Sequence, residues 1–142
     1  MKKIQFKIIL ILSLSFSLMS CSQNTQKNGL SVSDVIQKDV VSLITPEKLN
    51  DAPNDIQLID IRTPQEFAQG HIKNAVNINF YSPDFMEKMN KLDKNKDLYL
   101  YCRSGNRTGT ASKKLSSSGF KKIYDLKGGI NNWYTKQLKI IH

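Results

Sequence analysis

Histidine and cysteine are scarce in this chain: His71 and His142 are its two histidines, and Cys21 and Cys102 its two cysteines. Donors so few and so far apart form no metal-ligand cluster and argue against a zinc site. No glycine-rich phosphate loop and no internal repeat is present. Acidic residues are also short, 12 against 21 lysines and arginines, for a net charge of +9. That charge is not organised. Lys2, Lys3 and Lys7 sit at the N-terminus, and the rest is scattered apart from Lys113-Lys114 and Lys121-Lys122. No basic stripe alternates with aromatics, so the excess reads as a solvated lysine-rich face and not as a nucleic-acid surface. With 39% hydrophobic and 23% charged residues, the chain is not a disordered one. At 142 residues it holds one ordinary domain and not two.

Long apolar runs are absent but for one, "IILILSLSFSLM", which follows "MKKIQFK". It is too short to span a bilayer comfortably, and with its basic leader it has the layout of an export signal. The segment Leu18 to Cys21, "LMSC", resembles the lipobox of bacterial lipoproteins. That resemblance implies that residues 1–20 are a signal peptide and that Cys21 is lipidated. The expected location is the bacterial cell envelope, on a periplasmic or outer face, with contact to the membrane through the lipid alone. Residues 21–38 then form a polar, flexible tether, and residues 39–140 the folded domain. With Cys21 modified, Cys102 is a single thiol and no disulfide framework is possible. An exported protein with a free thiol exposes it to oxidation, which calls for a chemical reason to keep it.

From residue 45 onward, short apolar runs alternate with helix-like segments. "TPEKLND" and "TPQEFAQG" begin alike, with Thr45 and Thr63 as N-caps, Pro46 and Pro64 next, and Glu47 and Glu66 in the first turn. "SPDFMEKMNKL" repeats the cap-proline start, and Phe85, Met86, Met89 and Leu92 take helical spacing as core positions. "IQLIDI", "AVNINF", "KDLYLYC" and "KKIYDL" read as strands, while "VSDVIQKDVVSL" is open between strand and helix. "NRTGTASKKLSSSG" reads as a helix running to Gly119, and "GGINNWYTKQ" as a last helix with Trp133 at the core edge. The alternation predicts an α/β fold around a mainly parallel sheet of about five strands, with helices on both faces. In such sheets reactive groups lie at the carboxyl ends of the strands, where Cys102 falls.

The loop "CRSGNR", Cys102 to Arg107, is suited to sulfur chemistry. Gly105 lets the backbone curl, so that successive N–H groups of Arg103, Ser104, Gly105, Asn106 and Arg107 turn inward. The following helix N-terminus and the guanidinium groups of Arg103 and Arg107 add positive charge. Each favours thiolate over thiol. No histidine stands close in sequence to act as a base, which argues against a cysteine protease.

Three blocks, in order, carry a resemblance: "LIDIRTPQEFAQGHIKNAVNI", "YCRSGNRT" and "DLKGGINNW". Together they resemble the single-domain rhodanese-like sulfurtransferases over about residues 40–139. The resemblance implies a rhodanese-like fold and a persulfide formed on Cys102. Sulfur would come from a small anionic donor such as thiosulfate and pass to cyanide or a thiol, with no metal and no cofactor. Residues Arg103 to Thr108 would cradle the persulfide, and Arg107, with Arg103 as a second candidate, would attract the donor. Arg62 is either a second substrate anchor or an ion-pair partner of Asp60 or Glu66. His71 and Asp60 are expected to be structural. Two other outcomes stay open: an envelope persulfide carrier serving a protein acceptor, and a docking module that binds a partner. A phosphatase is the distant third, because the loop places four residues between cysteine and arginine, where the related phosphatases have five.

Overall fold

The computed structural model describes residues 40–142. The expected signal peptide, Cys21 and the tether lie outside the described residues. The chain runs β1 (Val41–Ile44), α1 (Pro46–Asn50), β2 (Gln57–Asp60), α2 (Pro64–Ala68), β3 (Val76–Asn77), α3 (Phe85–Asn90), β4 (Leu98–Tyr101), α4 (Asn106–Leu115), β5 (Ile123–Leu126) and α5 (Gly129–Thr135). The segment left open between strand and helix thus ends as β1.

All strand pairs are parallel, in the order β1-β5-β4-β2-β3. The core is split by the sheet. On one face Phe85 and Met89 of α3 and Ala111 and Leu115 of α4 pack on Ile59, Leu98, Leu100 and Ile123. On the other, Leu49 of α1 and Ile130 and Trp133 of α5 pack on Ile44, Leu58, Tyr101 and Leu126. Helices therefore cover both faces, as βαβ crossovers require.

The order of strands also locates a crevice. β2 and β4 are neighbours, but the chain leaves β2 outward for β3 and leaves β4 the other way for β5. Connections that diverge from adjacent strands open a gap at their carboxyl ends, the usual ligand position in parallel sheets. Ile61 and Arg62 follow β2 there, and Cys102 follows β4.

Local signals explain most boundaries. Thr45 Oγ1 accepts the Lys48 N–H at 3.4 Å, capping α1. At α2 the Thr63 hydroxyl accepts from Glu66 N while Glu66 Oε2 accepts from Thr63 N, a reciprocal capping box. Two expectations need correction. α3 starts at Phe85 with Asp84 as cap, because Ser82 donates its hydroxyl to Asp84 instead of capping the backbone. α4 stops at Leu115, short of Gly119: Ser116, Ser117 and Ser118 turn their hydroxyls onto the carbonyls of Lys113 and Lys114.

Tyr101, the last residue of β4, is fully buried, and its hydroxyl accepts the Ile72 N–H at 3.1 Å. Burial, then the nearby Asp60 charge, pushes its phenol well above the usual range. Tyr101→Phe leaves the Ile72 donor without a partner in the interior. Urea denaturation is expected to show a loss of about 1–3 kcal/mol.

Candidate active site

Cys102 leaves β4 into a tight loop that ends at Gly105, whose φ of 98° lies in the left-handed region and starts α4. That turn aims Gly105 N–H at Cys102 Sγ, 3.1 Å away. Thr108, one turn into α4, lies with its Oγ1 3.7 Å from the same sulfur and donates its hydroxyl to Gly105 O at 3.0 Å. Cys102 is 1% exposed, so the sulfur lies at the floor of the loop, against the core, with polar partners on its loop side. Arg103 and Ser104 above it are exposed.

A second element clamps the loop. At the N-terminus of α5, Ile130 N donates to Cys102 O at 2.9 Å and Asn131 N to Arg103 O at 3.1 Å. These helix-start amides are satisfied by the carbonyls of the cysteine loop, which fixes both at once. Gly129, at φ 59°, makes the approach possible. Its role was not visible in the run "KGGI" alone, although paired glycines ahead of a helix are the signal for a close backbone contact.

The arginines are divided between tasks. Arg107 does not point its charge freely at the loop mouth. Both terminal nitrogens pair with the Glu66 carboxylate, each at 2.7 Å, and the guanidinium stands 5.6 Å from the Tyr81 ring. Glu66 thus serves twice, capping α2 and neutralising Arg107. The Arg107 hydrogen bonds hold the Glu66 carboxyl down to about 2. Arg107 itself is raised above its ordinary value by the same bonds, against burial. Stability from this pair is complete above the ordinary carboxylate range and is lost as pH falls from about 4.5 toward about 2. Glu66→Gln is expected to flatten the fall in denaturation stability across that window, measured by urea titration at stepped pH.

Arg62 is buried and bound to Asp60 by its Nε (3.0 and 2.9 Å) and Nη2 (2.6 Å), with Nη2 also donating to Gly70 O at 2.8 Å. Burial lowers its pKa, but the Asp60 hydrogen bonds and charge outweigh this and raise it. Of the two roles left open, the ion pair with Asp60 is the one these contacts describe. Arg62 still lines a cleft of about 300 Å³ beside the loop, with Glu66, Gln69, Arg103, Ile130, Asn131 and Tyr134. Arg103 brings an exposed cation to that cleft. Asn106 opens α4 and is exposed. His71 stacks on Phe67 at 3.7 Å, and its Nδ1 lies 3.2 Å from Phe67 O, away from the sulfur loop's own contacts. Among the described residues there is no cluster of metal-ligating side chains.

Similarity to known proteins follows the same elements. A sulfurtransferase of Allochromatium vinosum is 37% identical over 87 residues, which span 61% of this chain and 79% of that protein. The tRNA uridine(34) hydroxylase of Pelagibacter ubique is 40% identical over 116 residues, 78% of this chain but 37% of that protein. The crystal structure of a rhodanese-related protein from Thermoplasma volcanium matches with a TM-score of 0.63 at 30% identity, covering 69% of this chain and 95% of that one. Residues 45–136, from the α1 cap to the end of α5, match the model of the rhodanese-like domain. A cysteine loop at the divergence of two parallel strands, in a segment that fits that model along its length, means that this chain belongs to the rhodanese-like domain family.

Proposed function

We propose that the protein is a sulfurtransferase that carries sulfane sulfur on Cys102. The observation that carries the reading is the Gly105 N–H on Cys102 Sγ at 3.1 Å, in a loop closed at the carboxyl end of β4. A backbone donor at this distance can hydrogen-bond to the attacking sulfur and to the persulfide sulfur that follows it. The thiolate attacks the outer sulfur of a donor such as thiosulfate. The donor's S–S bond breaks, and sulfite leaves with the bonding electron pair. Cyanide or a thiolate then attacks the outer sulfur of the persulfide, and Cys102 leaves as thiolate. No net electron change is required of the protein.

The depth of the sulfur supports a slender donor. Cys102 is 1% exposed, which suits a terminal sulfur atom better than the tetrahedral group of a phosphate ester. Exposed Arg103 supplies positive charge at the cleft for an anionic donor. Thiocyanate formation from thiosulfate and cyanide is expected, with no hydrolysis of aryl phosphates. Aryl phosphate hydrolysis without sulfur uptake would overturn the reading.

The proposal extends to location. The "LMSC" segment supports a diacylated Cys21 that holds the domain at a membrane of the cell envelope. Each buried acyl methylene contributes about 0.8 kcal/mol, so two chains hold a protein firmly to a bilayer surface. Cells fed radiolabelled palmitate are expected to incorporate label at Cys21; an unlabelled chain would contradict the anchor.

A further inference from the structure

The cleft of about 300 Å³ beside the sulfur loop holds more polar groups than the protein itself uses. Among the described residues, the side chains of Gln69, Arg103, Asn131 and Tyr134 have no hydrogen-bond partner, and Arg103 forms no ion pair. All four are exposed. Arg62 adds a buried donor. It is 5% exposed, with Nε and Nη2 engaged by Asp60 and Gly70 O. Its Nη1 makes no hydrogen bond and is not sealed from solvent, so it opens to the cleft that Arg62 lines. A guanidinium has five N–H donors, and the Asp60 pair leaves those on Nη1 free.

The free charge in the cleft is of one sign. Asp60 is neutralised by Arg62, and Glu66 by the two nitrogens of Arg107. Arg103 remains as an unpaired cation, with Arg62 Nη1 as a fixed donor. Guanidinium groups in such a seat match a carboxylate. The volume falls at the lower end of organic-ligand sites, which begin at about 300 Å³, and thiosulfate and cyanide fill little of it. The Gln69 and Asn131 amides each offer a donor and an acceptor, the complement of an amide on a ligand. The cleft also touches the sulfur loop. Arg103 follows Cys102 in the chain, and Ile130, on the cleft wall, donates its N–H to Cys102 O at 2.9 Å.

We propose that this cleft seats the sulfur acceptor, and that the acceptor is a small organic thiol carrying a carboxylate and an amide, its carboxylate held by Arg103 and Arg62 Nη1. The inference rests on the sulfurtransferase reading. Sulfite leaves before the acceptor arrives, so the Arg103 cation serves donor and acceptor in turn. The acceptor thiol gives its proton to water, and its thiolate attacks the outer sulfur of the Cys102 persulfide. The S–S bond to Cys102 breaks, and Cys102 leaves as thiolate. The product is the persulfide of the acceptor, with no net electron change.

N-acetylcysteine and N-acetylcysteine amide, which differ by one charge, are the probes. The full chain is loaded with thiosulfate and freed of donor, and discharge of the persulfide is followed by mass spectrometry. The ratio of rates, anionic over neutral probe, is expected to fall about tenfold in Arg103→Gln, the scale of one hydrogen bond to a charged group. It should also fall in Arg62→Lys, which keeps a charge beside Asp60 but lacks Nη1. Lys127→Gln, exposed after β5 and outside the cleft, should leave it unchanged. A ratio unmoved in Arg103→Gln would overturn the proposal. So would an equal fall in Lys127→Gln, which would mean diffuse attraction and no seat. A second arm needs no persulfide: N-acetyl-S-methylcysteine is expected to shift the Gln69 and Asn131 side-chain amide signals in nuclear magnetic resonance spectra of the unloaded chain, and its carboxamide counterpart is not. Failure to load sulfur would count against the sulfurtransferase reading. Sulfur loading without preference for the carboxylate in either arm would overturn the cleft assignment alone.

Discussion

Cys102→Ser is expected to reduce sulfur transfer to background while the domain stays folded. The two side chains are nearly isosteric, and a serine oxygen can accept the Gly105 N–H that now reaches Sγ. The neighbours at that site, Thr108 and the Gly105 peptide, are polar and tolerate a hydroxyl. The chemistry does not tolerate it. A serine hydroxyl remains protonated near neutral pH, and no base stands in the loop to take its proton. Even an alkoxide would form a sulfur–oxygen bond in place of a persulfide. The measurement is thiocyanate formation alongside a thermal melt. Activity retained in the variant would remove Cys102 from the mechanism; a lost melt would mean that the thiol is needed for packing.

Gly129→Ala is expected to cost both stability and activity. A Cβ built there falls 2.4 Å from Cys102 O and 2.7 Å from both Arg103 C and Arg103 O. These are backbone atoms, so no rotamer change relieves the clash. The φ of 59° adds strain for any residue with a side chain. The loop and the start of α5 must separate, which breaks the bonds from Ile130 N and Asn131 N to the loop carbonyls. A loss on the order of 2–3 kcal/mol in urea denaturation is expected. Sulfur transfer should fall on the order of 100-fold, because displacements near 1 Å at a reacting centre have that scale. Gly109→Ala is the control. Nothing lies within 4 Å of a Cβ at that position in α4, so the substitution should stabilise the helix by about 0.5–1 kcal/mol.

The contrast between these glycines marks what the sequence shows and what it leaves hidden. Periodicity and caps disclosed the elements, because Thr63, Pro64 and Glu66 act within one turn of backbone. The strand-to-loop position of Cys102 was legible for the same reason: "LYLY" and "NRTGTASKKL" border it directly. The end of α4 was misplaced because three serines turned their hydroxyls onto the backbone, a competition that apolar spacing does not register. The partner of Arg107 was hidden for another reason. Glu66 lies 41 residues away and meets it only because α2 and α4 follow the neighbouring strands β2 and β4. Arg62 and Asp60 are two residues apart, so their pairing could be proposed beforehand, but choosing between it and substrate binding required seeing Nε and Nη2 engaged by Asp60 and Gly70 O. The Gly129 contact was hidden in part, since the paired glycines signal a close backbone approach but do not say which segment approaches.

The central claim is that Cys102 is a thiol held by the loop's backbone to accept one sulfur atom. Intact-protein mass spectrometry after brief treatment with thiosulfate tests it most directly, with fragmentation to locate the addition. The account predicts a single added sulfur, on Cys102, that disappears when cyanide is supplied. A chain whose mass is unchanged by thiosulfate, or whose added sulfur resides elsewhere, would contradict it.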